Sequence, residues 1–168
     1  TLDGLMERLG AVRCREFVLI STVDVFAAPV GVDEDTAISE DGVQPYGLHR
    51  RMLECFVAAT FEHHLIVRLP GLVGPGLRKN VIFDLLNDVP LTATDARSVF
   101  QFYPMVNLWA DLSTAMATPL SLVHLTSEPI SVGDIAGLGF DRRFEQPQAV
   151  TPARYDMRSR HAGLFGGA

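Results

Sequence analysis

The run Phe17-Val18-Leu19-Ile20 is continuously apolar, with Arg15-Glu16 before it and Ser21-Thr22-Val23-Asp24 after it. An unbroken apolar run of this kind predicts a parallel strand buried on both faces. Its C-terminal end then delivers Ser21, Thr22 and Asp24 to the edge where open α/β sheets bind ligands.

The surrounding sequence alternates between helical and strand patterns. Leu2, Leu5, Met6 and Leu9 recur at spacings of three and four and predict a helix from the first residue. A loop with Pro29, Gly31, Gly42 and Pro45, acidic through Asp33, Glu34, Asp35, Glu40 and Asp41, leads to a helix over Tyr46 to His63. Its apolar stripe reads as Leu48, Met52, Cys55, Phe56 and Ala59, with Cys55 in the core. Leu65-Ile66-Val67 reads as a second buried strand, ending at Arg68 and the loop Leu69 to Gly76. Asn80 caps a helix through Leu86, and Asn87-Asp88-Val89-Pro90 breaks it. Further on, Phe100 to Tyr103 and Leu122 to Leu125 read as strands, and Val106 to Met116 as a helix. A last helix opens at Ser131, with Asp134 in a loose capping box. This is an α/β chain entered in mid-fold. Both ends read as trimmed, the last stretch Gly163 to Ala168 as a cut or a disordered tail.

Composition narrows the function classes. A net charge of −6 argues against a broad nucleic-acid surface, although local basic clusters can hold a phosphate. Two cysteines make neither a disulfide framework nor a metal quartet, and fit a reducing, cytoplasmic setting. No apolar run approaches the roughly 18 residues of a membrane span.

Chemistry concentrates in three positions. Thr22 stands at a strand end, and Tyr46 and Arg50 stand four residues apart on one helix face. A fixed positive charge beside a phenol favours phenolate. A hydroxyl donor can hold a substrate oxygen while the phenolate removes its proton. Hydride leaving the same carbon needs an acceptor that no side chain supplies and a nicotinamide does.

The ordered segments Phe17-Val18-Leu19-Ile20-Ser21-Thr22-Val23-Asp24-Val25-Phe26, Pro45-Tyr46-Gly47-Leu48-His49-Arg50 and Val67-Arg68-Leu69-Pro70-Gly71-Leu72-Val73-Gly74-Pro75-Gly76 resemble the extended short-chain dehydrogenase/reductase family. Its members include UDP-galactose 4-epimerase and the nucleotide-sugar dehydratases. The resemblance implies the C-terminal part of a Rossmann-type parallel sheet plus a small α/β substrate-binding domain. It divides the chain into residues 1–70, the remnant of the Rossmann-type domain, and residues 71–168, the substrate-binding region. By the same resemblance Thr22 is the substrate-binding hydroxyl, Tyr46 the catalytic tyrosine, and Arg50 the cation that tunes it and holds the nicotinamide ribose of NAD or NADP. Gly74 belongs to the loop near a nucleotide-sugar diphosphate.

Two substitutions and one absence depart from the family pattern. Arg50 replaces lysine, which changes a compact ammonium into a planar fork. Gly71 stands where many members have asparagine. No Gly-x-x-Gly-x-x-Gly follows a strand, so the dinucleotide-binding half is expected to be missing and the chain to be inactive alone. The resemblance also implies a homodimer through the N-terminal and Tyr46 helices, with no membrane or nucleic-acid partner. A non-catalytic NAD(P)-binding regulator and a small-carbonyl reductase are alternatives on the same scaffold.

Other residues carry two readings each. Asp24 either caps the turn or touches substrate. Arg68 either anchors its strand end or approaches the diphosphate. Arg78 and Lys79 are an anion site or surface charge, and Asn80 is a cap or a ligand contact. Gln101, Tyr103 and Trp109 belong to the core or to a sugar pocket. No His-x-x-x-His or Cys-x-x-Cys spacing points to a metal.

Overall fold

The apolar run of the first strand is covered on both faces. A computed structural model describes residues 1–145, 147 and 151–166; the last two residues of the glycine-rich end lie outside these. Helix α1 (Leu2–Gly10), capped by the Thr1 hydroxyl, precedes strand β1 (Phe17–Thr22). A short 3-10 turn over Val23–Val25 and strand β2 (Val30–Val32) lead to helix α2 (Pro45–Thr60). Strand β3 (His64–Leu69) then runs parallel to β1, so β1, α2 and β3 form a crossover unit.

Strand β4 (Gly71–Val73), helix α3 (Val81–Leu86) and strands β5 (Val99–Phe100) and β6 (Phe102–Pro104) follow. After them come helix α4 (Leu108–Met116), strands β7 (Leu122–His124) and β8 (Ile130–Ser131), helix α5 (Val132–Phe140) and strand β9 (Asp156–Met157). The main sheet has the order β1-β3-β7, all parallel, and smaller pairs join β2 to β9, β4 to β6 and β5 to β8. Strands β7 and β9 come from beyond residue 70, so the two halves of the sequence share sheets.

Alternation along β1 sorts its side chains between two layers. Phe17 and Leu19 pack with Leu53, Val57, Phe61 and Ile66 under α1 and α2. Val18 and Ile20 pack with Leu65, Val67, Val123 and Ala115 under α4. Fully burying each such aliphatic side chain contributes about 1.5–3 kcal/mol.

The stripe of α2 differs in phase from the sequence reading. Its buried residues are Gly47, Leu53, Glu54 and Val57, whereas Met52 is 46% exposed and Cys55 is exposed rather than core. Sequence favoured the run of larger apolar residues; the sheet instead receives the face that carries Glu54.

Glu54 is fully buried among polar partners. One carboxylate oxygen accepts from Ser21 Oγ at 2.6 Å and Arg68 Nε at 3.0 Å; the other accepts from Arg68 Nη2 at 2.8 Å and Arg51 Nη1 at 3.1 Å. Arg68 is itself buried, and its Nη1 lies 3.2 Å from His124 Nε2. Because arginine only donates, Nε2 must accept, which leaves the proton on Nδ1 to donate to the Arg158 carbonyl at 2.9 Å. Glu34 accepts from the His124 amide, Ser159 Oγ and the Arg160 amide. Arg68 is therefore an anchor of the sheet, and it is not among the residues lining the larger cavity described below.

This network makes the fold acid-sensitive. Burial pushes the Glu54 carboxyl up, but the Arg68 hydrogen bonds and charge, with Ser21 and Arg51, outweigh it and hold it below its ordinary 4.5. Burial also pushes Glu34 up, and the Arg160, Ser159 and His124 hydrogen bonds again bring it below 4.5. Burial lowers His124 from 6.5, against the opposing pull of Glu34. All three groups bind protons more weakly when folded, so the unfolded chain takes them up first as pH falls. The urea midpoint is expected to hold steady at neutral pH, to decline below about 6.5 and to fall more steeply below about 4.5. Glu54→Ala leaves Arg68 buried without its anion and should cost about 3–5 kcal/mol in urea unfolding, against about 1 or less for Arg51→Ala at its partly exposed rim.

Candidate active site

Thr22 ends β1 and caps the turn that follows. Its Oγ1 accepts from the Asp24 amide and donates to Asp24 Oδ2, both at 3.2 Å. Asp24 Oδ1 accepts from Tyr155 Oη at 3.2 Å, a bond that reaches across from the C-terminal segment. Burial and the neighbouring Asp24 charge push the Tyr155 phenol up to about 12, so it stays protonated as a donor.

The start of α2 lies directly against this turn. Pro45 occupies the first helical turn, where a missing amide proton costs little. At Gly47 an added Cβ would stand 1.9 Å from the Asp24 carbonyl oxygen, so only glycine allows this approach. The contact brings its neighbour Tyr46 beside Thr22 and Asp24. Tyr46 is 54% exposed, and Arg50 Nε donates to its hydroxyl at 3.4 Å with the guanidinium 5.6 Å from the ring centroid.

A cavity of about 820 Å³ opens beside these groups, within the usual range for small-molecule sites. Thr22, Asp24, Tyr46, Arg78 and Asn80 all line it, as do Gly76 and Lys79. Arg50 and Gly74 are not among its lining residues: Arg50 reaches the site through Tyr46, and the space at Gly74 is filled by Met105. Asn80 Oδ1 accepts from the Ile82 and Phe83 amides, and its Nδ2 donates to the Leu72 carbonyl, so its polar atoms hold the loop and the start of α3. A smaller cavity of about 320 Å³ adjoins, and Asp24, Tyr46 and Tyr155 line both.

The remaining readings divide. Tyr103 is buried and donates to Asp111, so it belongs to the core. Trp109 is 74% exposed and lines neither cavity. Gln101 is buried, lines the larger cavity and ties Met157 in place through its amide and carbonyl. Gly71 is explained by crowding: a Cβ would meet the Gln101 carbonyl at 3.0 Å and the Phe102 ring at 3.1 Å. Among the described residues no group of three potential metal ligands occurs, and no helix is long and apolar enough to cross a membrane.

The sequence resemblance touched Tyr155 only through the tail Tyr155-Asp156-Met157 and gave it no site role, although it lines both cavities, and Glu54, which bonds α2 to the sheet, was passed over. Glu54 was signalled by a charge flanked by Leu53 and Val57, and its partner by an arginine inside the run Leu65 to Leu69. Tyr155 carried no burial or charge pattern that pointed to Asp24.

The donor set suits a nicotinamide nucleotide. The Tyr46 phenol and Arg50 guanidinium lie together on one exposed helix face beside the cavity, where they can hydrogen-bond a ribose diol.

No family model and no curated protein matches the sequence. Solved structures do match. UDP-glucuronic acid 4-epimerase from Bacillus cereus, in complex with UDP-glucuronic acid and NAD, is 18% identical with a TM-score of 0.68, over 99% of this chain and 60% of that one. The NAD-dependent NDP-hexosamine 5,6-dehydratase TunA is 21% identical with a TM-score of 0.73, over 98% and 62%. The dTDP-4-dehydrorhamnose reductase from Bacillus anthracis, in complex with NADP, is 19% identical with a TM-score of 0.69, over 91% and 60%. The chain thus spans about three fifths of the length of these proteins.

Gly47 offers a direct check on how the site is assembled. Gly47→Ala should cost about 1–3 kcal/mol in urea unfolding, as overpacking does, and should shift the NMR signals of Thr22 and Asp24. Unchanged stability and spectra would contradict the close approach. The chain has a Rossmann-type α/β fold that matches the C-terminal portion of these epimerase and dehydratase structures.

Proposed function

We propose that these residues form the substrate side of an NAD(P)-dependent epimerase or dehydratase acting on a nucleoside-diphosphate sugar. The observation that carries this reading is the single cavity lined by Thr22, Tyr46, Arg78 and Lys79. The two cations suit a diphosphate, and the two hydroxyls suit a sugar. In this reading Thr22 hydrogen-bonds the reacting sugar hydroxyl, and Tyr46 takes up its proton. Arg50 supplies positive charge and a donor beside the phenolic oxygen. NAD or NADP, when bound, supplies the hydride acceptor.

Tyr46 and Arg50 would hold the nicotinamide ribose. The glycine fingerprint for the cofactor diphosphate does not occur in these 168 residues, so that contact falls to another segment, and these residues alone would not turn over. The division into residues 1–70 and 71–168 belongs to this reading. So does a homodimer through α1 and α2, on which Leu5, Met52 and Cys55 are exposed.

The test is turnover of the cofactor-loaded whole protein with UDP-sugars. Tyr46→Phe should lower it by about 10²–10⁴-fold, the usual contribution of a positioned acid–base group, while the protein still binds cofactor through its remaining contacts. Undiminished turnover would remove Tyr46 from the reaction. A wild-type protein that binds cofactor and UDP-sugar without turnover would favour the regulatory reading.

A further inference from the structure

Asp24 is the only acid among the described residues that line either cavity, and it lies at their junction. The groups on its two oxygens are neutral hydroxyls, from Thr22 and Tyr155. A carboxylate offers about four acceptor sites, so these two bonds leave room for donors from a ligand. The cations of the larger cavity, Arg78 and Lys79, come from the loop after β4, a different segment from the turn after β1. The cavity therefore carries positive charge from one segment and, from another, a carboxylate hydrogen-bonded by Thr22, the candidate substrate-binding hydroxyl.

Resting on the nucleotide-sugar reading above, we propose that Asp24 is a specificity-determining residue that selects neutral, hydroxyl-bearing sugars over uronic acids. A sugar hydroxyl bonded to Thr22 Oγ1 is one hydrogen bond from Asp24 Oδ2. A neighbouring hydroxyl of the same sugar can donate to Asp24. An ionised sugar carboxylate has no proton to donate, and it meets a like charge that Tyr155 holds in place. Substrate discrimination of this kind comes from repulsion of the wrong ligand as much as from attraction of the right one.

Calorimetric titration of the protein with UDP, UDP-glucose and UDP-glucuronic acid at low ionic strength tests this. UDP-glucose should bind about tenfold or more tightly than UDP-glucuronic acid, since like-charge juxtaposition is strongly unfavourable. Asp24→Asn should bring the two within about threefold of each other, mainly by improving the uronic acid. Tyr155→Phe removes a hydroxyl but no charge, and should keep the preference. A purely structural role for the pair would instead make the two variants behave alike. A wild-type ratio near one, or an unchanged ratio in Asp24→Asn, overturns the proposal while UDP binding leaves the nucleotide-sugar reading standing. Absence of binding by UDP and both UDP-sugars overturns that reading, and this proposal with it.

Discussion

One buried carboxylate holds the geometry of the candidate site together. Glu54 faces the sheet from α2 and is bonded by Ser21 of β1 and by Arg68 of β3. A carboxylate without these partners would be expensive in an apolar layer, and with them it is fixed in direction as well as compensated. The helix therefore has one rotation and one height relative to β1. That rotation turns Gly47 onto the Asp24 carbonyl and sets Tyr46 beside Thr22, the residue after Ser21. Arg68 carries the same constraint to His124, and His124 with Glu34 carries it to the segment around Arg158. The segment bearing Tyr155 is thus tied into the polar core that fixes α2.

The sequence made the strands of the main sheet legible because both faces are apolar, and an unbroken run has few other uses. Phe17–Thr22 and His64–Leu69 were both visible in this way, as was the Asn80 cap, whose side chain bonds the first amides of α3. The face of α2 was not visible. Its apolar residues outnumber its single buried acid, and periodicity counts hydrophobicity rather than partners. Leu53 and Val57 bracket Glu54 on the buried face, so Cys55 and Met52 turn outward. The stretch Phe100 to Tyr103 reads as one strand, but Gln101 interrupts it by turning its amide onto Met157, a partner 56 residues away. Long-range polar pairing of this kind leaves no local pattern.

The candidate site was legible in part for the same reason. Thr22 ends β1, Tyr46 opens α2 and Arg50 follows one helical turn later, so strand and helix geometry bring Thr22 and Tyr46 to one cavity and Arg50 to the Tyr46 hydroxyl. Tyr155 reaches Asp24 from a loop-rich segment, across 131 residues of sequence. The departures from the family pattern acquire local causes. Gly71 is small because the Gln101 carbonyl and Phe102 ring crowd it. Arg50 keeps its contact with the Tyr46 hydroxyl despite its planar head. The larger cavity is lined by two cations from the loop after β4 and by one carboxylate from the turn after β1.

The most direct measurement is a structure of the whole protein with NAD and a UDP-sugar bound. The sugar hydroxyl should lie within about 3 Å of both Thr22 Oγ1 and Tyr46 Oη, inside the larger cavity, with the diphosphate against Arg78 or Lys79. A sugar held outside that cavity, or out of reach of either hydroxyl, would contradict this arrangement.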